Sequence, residues 1–164
     1  MPTKRRSTKP KAGRPNLPGY GIDQDSKGLL PWKWAEQVLS KTSNYFLATV
    51  RGDSSPHVMP IWGVWMDSAF YFSTGKNSVK ARNLAANPSC VLCPGGADEA
   101  VIVEGMAKKL RDKKKLAKFA TVYFKKYRWD ISGMNEPVFV IQPRAVFGQI
   151  ERTFTKTATR WMFH

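Results

Sequence analysis

Two histidines, His57 and His164, are the only imidazoles in this 164-residue sequence, and neither has a recognisable nucleophile or orienting carboxylate beside it. The chain contains no His-Glu-x-x-His run, no His, Asp and Glu cluster at metal-ligand spacing, and no glycine-rich loop of the Walker or dinucleotide type. Hydrolysis and metal chemistry are poorly supported: no side chain is assigned a catalytic role, and no metal is expected. Cys90 and Cys93 form a lone Cys-x-x-Cys. In a β-rich run, residues three apart point to opposite faces, so both read as reduced, partly buried small hydrophobes.

The conspicuous chemistry is anion binding. Ser73, Thr74, Lys76, Ser78, Lys80 and Arg82 gather around Gly75 where an extended segment runs into a helix start. The first amides of a helix are unpaired and its dipole is positive there, so hydroxyls and cations at that point make a phosphate cradle. An ordinary capped and solvated helix would use the same residue types.

The elements that must position these groups follow from periodicity. Residues 30–39 read as a helix with proline in its first turn and Trp34, Val38 and Leu39 on one face. Residues 45–51 form a strand, 52–56 a turn, 58–66 a second strand and 70–74 a third. Three strands in about thirty residues leave no room for parallel crossovers, which disfavours a Rossmann reading. A short helix over 78–86, with Ser78 as its cap, is closed by Asn87-Pro88. Strands at 90–93 and 100–110 follow. From 111 to 129 the period becomes helical, with Leu116, Phe119, Ala120, Tyr123, Phe124 and Tyr127 separated by lysines. A long strand over 137–150 and a closing segment over 157–163 complete a mainly β (α+β) pattern. An antiparallel barrel, closed or nearly so and with peripheral helices, fits better than a sandwich.

The formal net charge is +15, and Lys4, Arg5, Arg6, Lys9, Lys11 and Arg14 supply six of those charges, leaving nine on the remainder. A basic segment poor in apolar residues cannot repay the entropy of ordering, so residues 1–28 are expected to be mostly disordered, with the folded domain over 29–164. That tail would suit nucleic acid or an acidic surface; a solvated tail without a fixed partner explains it equally. No apolar run is long enough to span a bilayer and no secretory signal follows the basic start, so a cytoplasmic protein is expected.

The order of segments resembles the pyridoxamine 5′-phosphate oxidase-like superfamily of split β-barrel flavin and deazaflavin oxidoreductases. The pieces that carry the resemblance are residues 45–50, 56–62, 70–74, 78–84 and Val103-Glu104-Gly105. It implies an FMN-binding type of barrel in which His57, Val58, Met59, Pro60, Ile61 and Trp62 lie along the cofactor ring. By the same resemblance Ser73, Thr74 and Lys80 hold the phosphate, with Lys76, Ser78, Arg82 and Asn83 around it, and the barrel is a homodimer with cofactor sites between subunits. Two departures from true pyridoxamine-phosphate oxidases stand out. Ala100 replaces a glutamine, and a long C-terminal region is lacking. The ending over 158–163 instead looks like the deazaflavin-dependent branch, in which Arg160 and Trp161 either close over the cofactor or finish a strand.

The expected cofactor is coenzyme F-420 or FMN, with the deazaflavin favoured because surplus positive charge suits a long anionic tail. The expected activity is hydride transfer to a small organic substrate, the cofactor carrying the chemistry. Trp62 and Trp65, three apart on one strand, face opposite sides, so at most one reaches the cofactor. The rival readings are a non-catalytic flavin-binding or storage protein and a basic nucleic-acid-binding barrel. Against the latter, the aromatics alternate with aliphatics as core residues do.

Overall fold

The computed structural model describes residues 9–164. Its elements are β1 (Lys11–Gly13), α1 (Trp32–Lys41), β2 (Tyr45–Val50), β3 (Pro56–Ile61), β4 (Val64–Met66), β5 (Ala69–Ser73), α2 (Val79–Ala86), β6 (Ser89–Pro94), β7 (Glu99–Lys109), α3 (Lys113–Tyr127), β8 (Val138–Ile150), α4 (Phe154–Thr157) and β9 (Thr159–Met162). All strand pairs are antiparallel, as the short connections require.

The sheet runs β1-β9-β8-β7-β6-β2-β3 and does not close; β4 and β5 form a branch held to β8. The fork lies in β8. Val138–Ile141 pairs with β5, whereas Ala145–Gly148 pairs with β9, and β7 backs both halves. At the fork the β7–β8 register shifts between Glu104 and Gly105, leaving Arg144 of β8 as the extra residue of a bulge. Gly105 is required there by close approach, since a Cβ would lie 2.6 Å from the Gln142 carbonyl oxygen.

Two cores result. The larger joins Leu39, Tyr45, Leu47, Phe70, Phe72, Leu92, Val103, Ile141, Val146 and Trp161. The smaller joins Val64, Tyr71, Phe119 and Tyr123, and packs α3 on the outer side of β4 and β5. Of the apolar stripe expected on α3, Phe119 and Tyr123 are buried, Leu116, Ala120 and Tyr127 are half-buried, and Phe124 is exposed. On α1 the buried pair is Ala35 and Leu39, with Trp34 and Val38 flanking it. Both cysteines are free, and burial pushes the Cys90 thiol up to about 12, which leaves it unreactive.

Two expectations are corrected. The segment read as one strand over 58–66 is two strands, broken at Trp62-Gly63: β3 pairs with β2, whereas β4 turns away to pair with β5. The basic segment, expected to be disordered to residue 28, is docked over its described part; its first eight residues lie outside the described ones. β1 adds to the free edge of β9, with Lys11 opposite Met162. Arg14 then donates to the carbonyls of Asp25, Lys27, Lys156 and Ala158 at 2.7–3.0 Å. Composition alone misses this because much of the ordering comes from main-chain partners, β9 for β1 and four carbonyls for Arg14, two of them at the other end of the sequence.

Candidate cofactor-binding site

The cradle forms where β5 ends. Ser73 Oγ donates to the Pro137 carbonyl at 3.1 Å, so its proton is already engaged. The next residue, Thr74, is buried, and its hydroxyl lies 3.3 Å from that of Ser78. Ser78 is the cap of α2, as its residue type predicts, accepting from the Ala81 amide at 3.2 Å. Lys80, the second residue of α2, has no carboxylate partner among the described ion pairs. Partial burial lowers its pKa below the ordinary lysine range. A partly exposed cation with no carboxylate partner among the described residues, lining the same cleft as the Thr74 hydroxyl, is a place where an anion can bind.

Lys80 and Thr74 open into a cleft of about 450 Å3 lined also by Ser73, Asn44, Pro60, Ile61, Trp62 and Tyr123, a size suited to a nucleotide-like ligand. Its opposite wall is the β3–β4 break. Trp62 stands there with its ring 4.8 Å from that of Tyr127 and nearly parallel to it, at 6°. The indole Nε1 donates to Asn44 Oδ1 at 3.1 Å. The cleft thus has a cationic, hydroxyl-bearing end and a flat aromatic end.

Six of the expected residues meet in this cleft: Pro60, Ile61, Trp62, Ser73, Thr74 and Lys80. The others are placed differently. Lys76 and Arg82 are exposed, and Lys76 meets Glu136 through its main-chain amide, 2.7 Å from Oε2. Asn83 is buried and donates to Thr49 Oγ1 at 3.0 Å, a bond internal to the core. Val58 and Met59 are exposed further along β3. His57 Nδ1 is buried without a hydrogen-bond partner. Trp161 is fully buried under Trp32 and Trp34, so it finishes a strand and does not close over the cleft. Arg160 lies 3.7 Å from Glu104 in an exposed pair. Trp65 turns inward to pack edge-on against Trp32, and only Trp62 reaches the cleft.

Asn44 and Tyr123 join the site without having been anticipated. Asn44 reads as a loop residue and Tyr123 as one more member of the apolar stripe of α3. Their approach is tertiary, and no spacing in the sequence signals it.

Beyond the cleft, β2, β3 and β6 share an outer face. Residues opposite one another in an antiparallel pair project to the same side, which groups Phe46 with Pro60 and Cys93, and Ala48 with Val58 and Val91. Phe46 and Val58 are 43% and 54% exposed. Pro60 belongs both to this face and to the cleft wall.

Among the described residues, no three His, Cys, Asp or Glu side chains gather as a metal site, and no helix is long and apolar enough to cross a membrane. No curated protein matches the sequence. Solved structures share the fold. An F420 reductase superposes with a TM-score of 0.56 at 23% identity, over 68% of this chain and 94% of its own. An FAD-binding protein from Mesorhizobium loti gives 0.59 at 19%, over 82% and 96%. The haem storage protein HutZ from Vibrio cholerae gives 0.61 at 18%, over 71% and 91%. The family model of pyridoxamine 5′-phosphate oxidase matches residues 33–150, which takes in the barrel from α1 through β8 and both walls of the cleft. The chain belongs to that family.

Proposed function

We propose that the chain is an oxidoreductase that binds a flavin or deazaflavin nucleotide in the cleft between Lys80 and Trp62 and passes hydride between it and a small organic substrate. The observation that carries this reading is that Lys80, without a carboxylate partner among the described residues, lines with Thr74 a cleft that also takes in the Trp62 ring stacked on Tyr127. Lys80 and Thr74 would hold the phosphate, while Pro60, Ile61 and Trp62 would line the ring. A bound flavin or deazaflavin supplies the hydride chemistry itself. The protein's share is then to bind, orient and exclude water, which accounts for a site without a general acid or base. Coenzyme F-420 is favoured over FMN on the same ground as before, since a strongly basic chain suits a longer anionic tail.

The cleft reaches the outer apolar face through Pro60. A homodimer formed on Phe46, Ala48, Val58 and Val91 would bury that face and bring a second subunit to the mouth of the cleft.

Titration of the purified protein with FMN, coenzyme F-420 and haem, followed by visible absorbance, tests the reading. Saturable binding of FMN or F-420, weakened in Lys80→Ala, is expected. Binding of haem alone would replace the reading with a storage role. Bound cofactor that no electron donor or acceptor can reduce or reoxidise would make the protein a carrier and not an enzyme.

A further inference from the structure

Lys126, in the last turn of α3, is half-buried and has no carboxylate within ion-pair distance among the described residues. Its Nζ donates to the Tyr45 hydroxyl at 2.8 Å and to the Gly63 carbonyl at 3.0 Å. It also stands 4.9 Å and 5.2 Å from the ring centroids of Tyr45 and Tyr127. The negative end of the α3 dipole explains a cation in this turn, as it does for exposed Lys125. It does not explain why the chain of Lys126 is drawn beneath Gly63. Withdrawing an ammonium from water without a counter-ion costs stability, and a methionine would fill the same space without that cost.

What the cost secures is the strand break. Gly63 is held on both sides: its N–H donates to Tyr127 Oη at 3.0 Å, and its carbonyl accepts from Lys126 and lies 2.8 Å from the same Tyr127 hydroxyl. It sits so tightly that a Cβ would fall 2.3 Å from the Phe70 ring and 2.6 Å from the Tyr71 carbonyl oxygen. Tyr127, the neighbour of Lys126, carries Trp62 on its ring face. Tyr45, the other partner of Lys126, reaches through its hydroxyl to the Leu39 and Thr42 carbonyls at the end of α1.

We propose that Lys126 is a positioning residue that ties β2, the Gly63 junction and α3 together, so that Trp62 stands as a fixed wall of the cleft before any ligand arrives. This deepens the cofactor reading but does not depend on it, because the position of Trp62 can be read in the ligand-free protein.

The six tryptophans give six indole N–H resonances in an 15N-labelled sample, and that of Trp62 is identified by its loss in Trp62→Phe. In Lys126→Met the Trp62 resonance is expected to shift or broaden while the other five hold their places, with Lys126→Arg restoring it. If wild type binds FMN, affinity should fall about tenfold in the Met variant and recover in the Arg variant. An unmoved Trp62 resonance in Lys126→Met overturns the proposal. So does an equal disturbance of all six, which would mark general loosening.

Should that variant not fold, wild type alone decides. Desolvation brings the Lys126 pKa down to about 8, while the titratable groups packed around it, Tyr45, Tyr127 and Tyr123, are all pushed upward by burial. The Trp62 resonance should therefore move through a transition near pH 8, and a flat profile removes the role. Failure of both FMN and coenzyme F-420 to bind wild type would sink the cofactor reading and leave this indole test standing.

Discussion

Lys80 and Asn83 sit three residues apart on α2 and meet opposite surroundings. The ammonium opens into the cleft without a counter-ion, whereas the amide is spent on Thr49 inside the core. Their substitutions should separate accordingly. Lys80→Ala should weaken FMN or F-420 binding by about ten- to a hundredfold, the worth of one or two charge-assisted hydrogen bonds, with little change in thermal midpoint. Asn83→Ala strands the buried Thr49 hydroxyl and should cost about 1–3 kcal/mol in a urea melt, with ligand affinity retained. The cradle was legible because serine, threonine and lysine around a helix start have a local meaning. Which of them face the cleft was not, since the rotation of α2 against β2 is set by packing. Lys126 carries a pH signature of its own. Its folded pKa of about 8 lies below the usual 10.5, so between those values the unfolded chain binds more protons and this residue's contribution to stability rises with pH. Tyr127 and Cys90, each pushed up to about 12, act in the opposite sense once their unfolded forms ionise. The readable quantity is thus a difference: wild type should gain on Lys126→Met in urea unfolding as pH climbs from about 8 to about 10.

At the scale of elements, the decisive feature is a strand that breaks where its sequence reads as continuous. Residues 58–66 are β-favouring apart from Pro60 and Gly63, and the interruption falls at Trp62-Gly63, where β2 takes one half and β5 the other. Gly63→Ala places a methyl group against the Phe70 ring and the Tyr71 carbonyl. It should destabilise by about 1–3 kcal/mol, as overpacking does, and displace the Trp62 indole resonance with it. Most other elements were legible to within two residues, because local signals mark them: Pro31 at the start of α1, Ser78 before α2, Asn87-Pro88 after it, and the helical period from Leu116 to Tyr127 in α3. β1 was not, because nothing in Lys11-Ala12-Gly13 favours a strand until β9 is there to pair with it.

Across the whole molecule, the two ends of the sheet are treated differently. The three-residue β1 ends the sheet beyond β9, while the six-residue β3 ends it on the other side with one edge unpaired among the described residues, beside the apolar face of Phe46 and Val58. An uncovered edge next to an apolar face invites association. Val58→Asp should turn the proposed dimer into a monomer, seen by light scattering after gel filtration, and lower cofactor affinity in step. A monomeric wild type that binds cofactor with full affinity would remove the shared-site reading.

The Arg14 clasp also bears on the order in which the molecule assembles. Its guanidinium bonds the Lys156 carbonyl across 142 residues of chain and that of Ala158 across 144. Loop closure over such a span is unfavourable until the barrel between has folded and brought the ends together. The clasp should therefore form last and open first, so that amides of β1 and β9 exchange with deuterium through local opening while those of β7 and β8 wait for global unfolding. Arg14→Ala would leave the central strands as slow as before and raise exchange only at this seam.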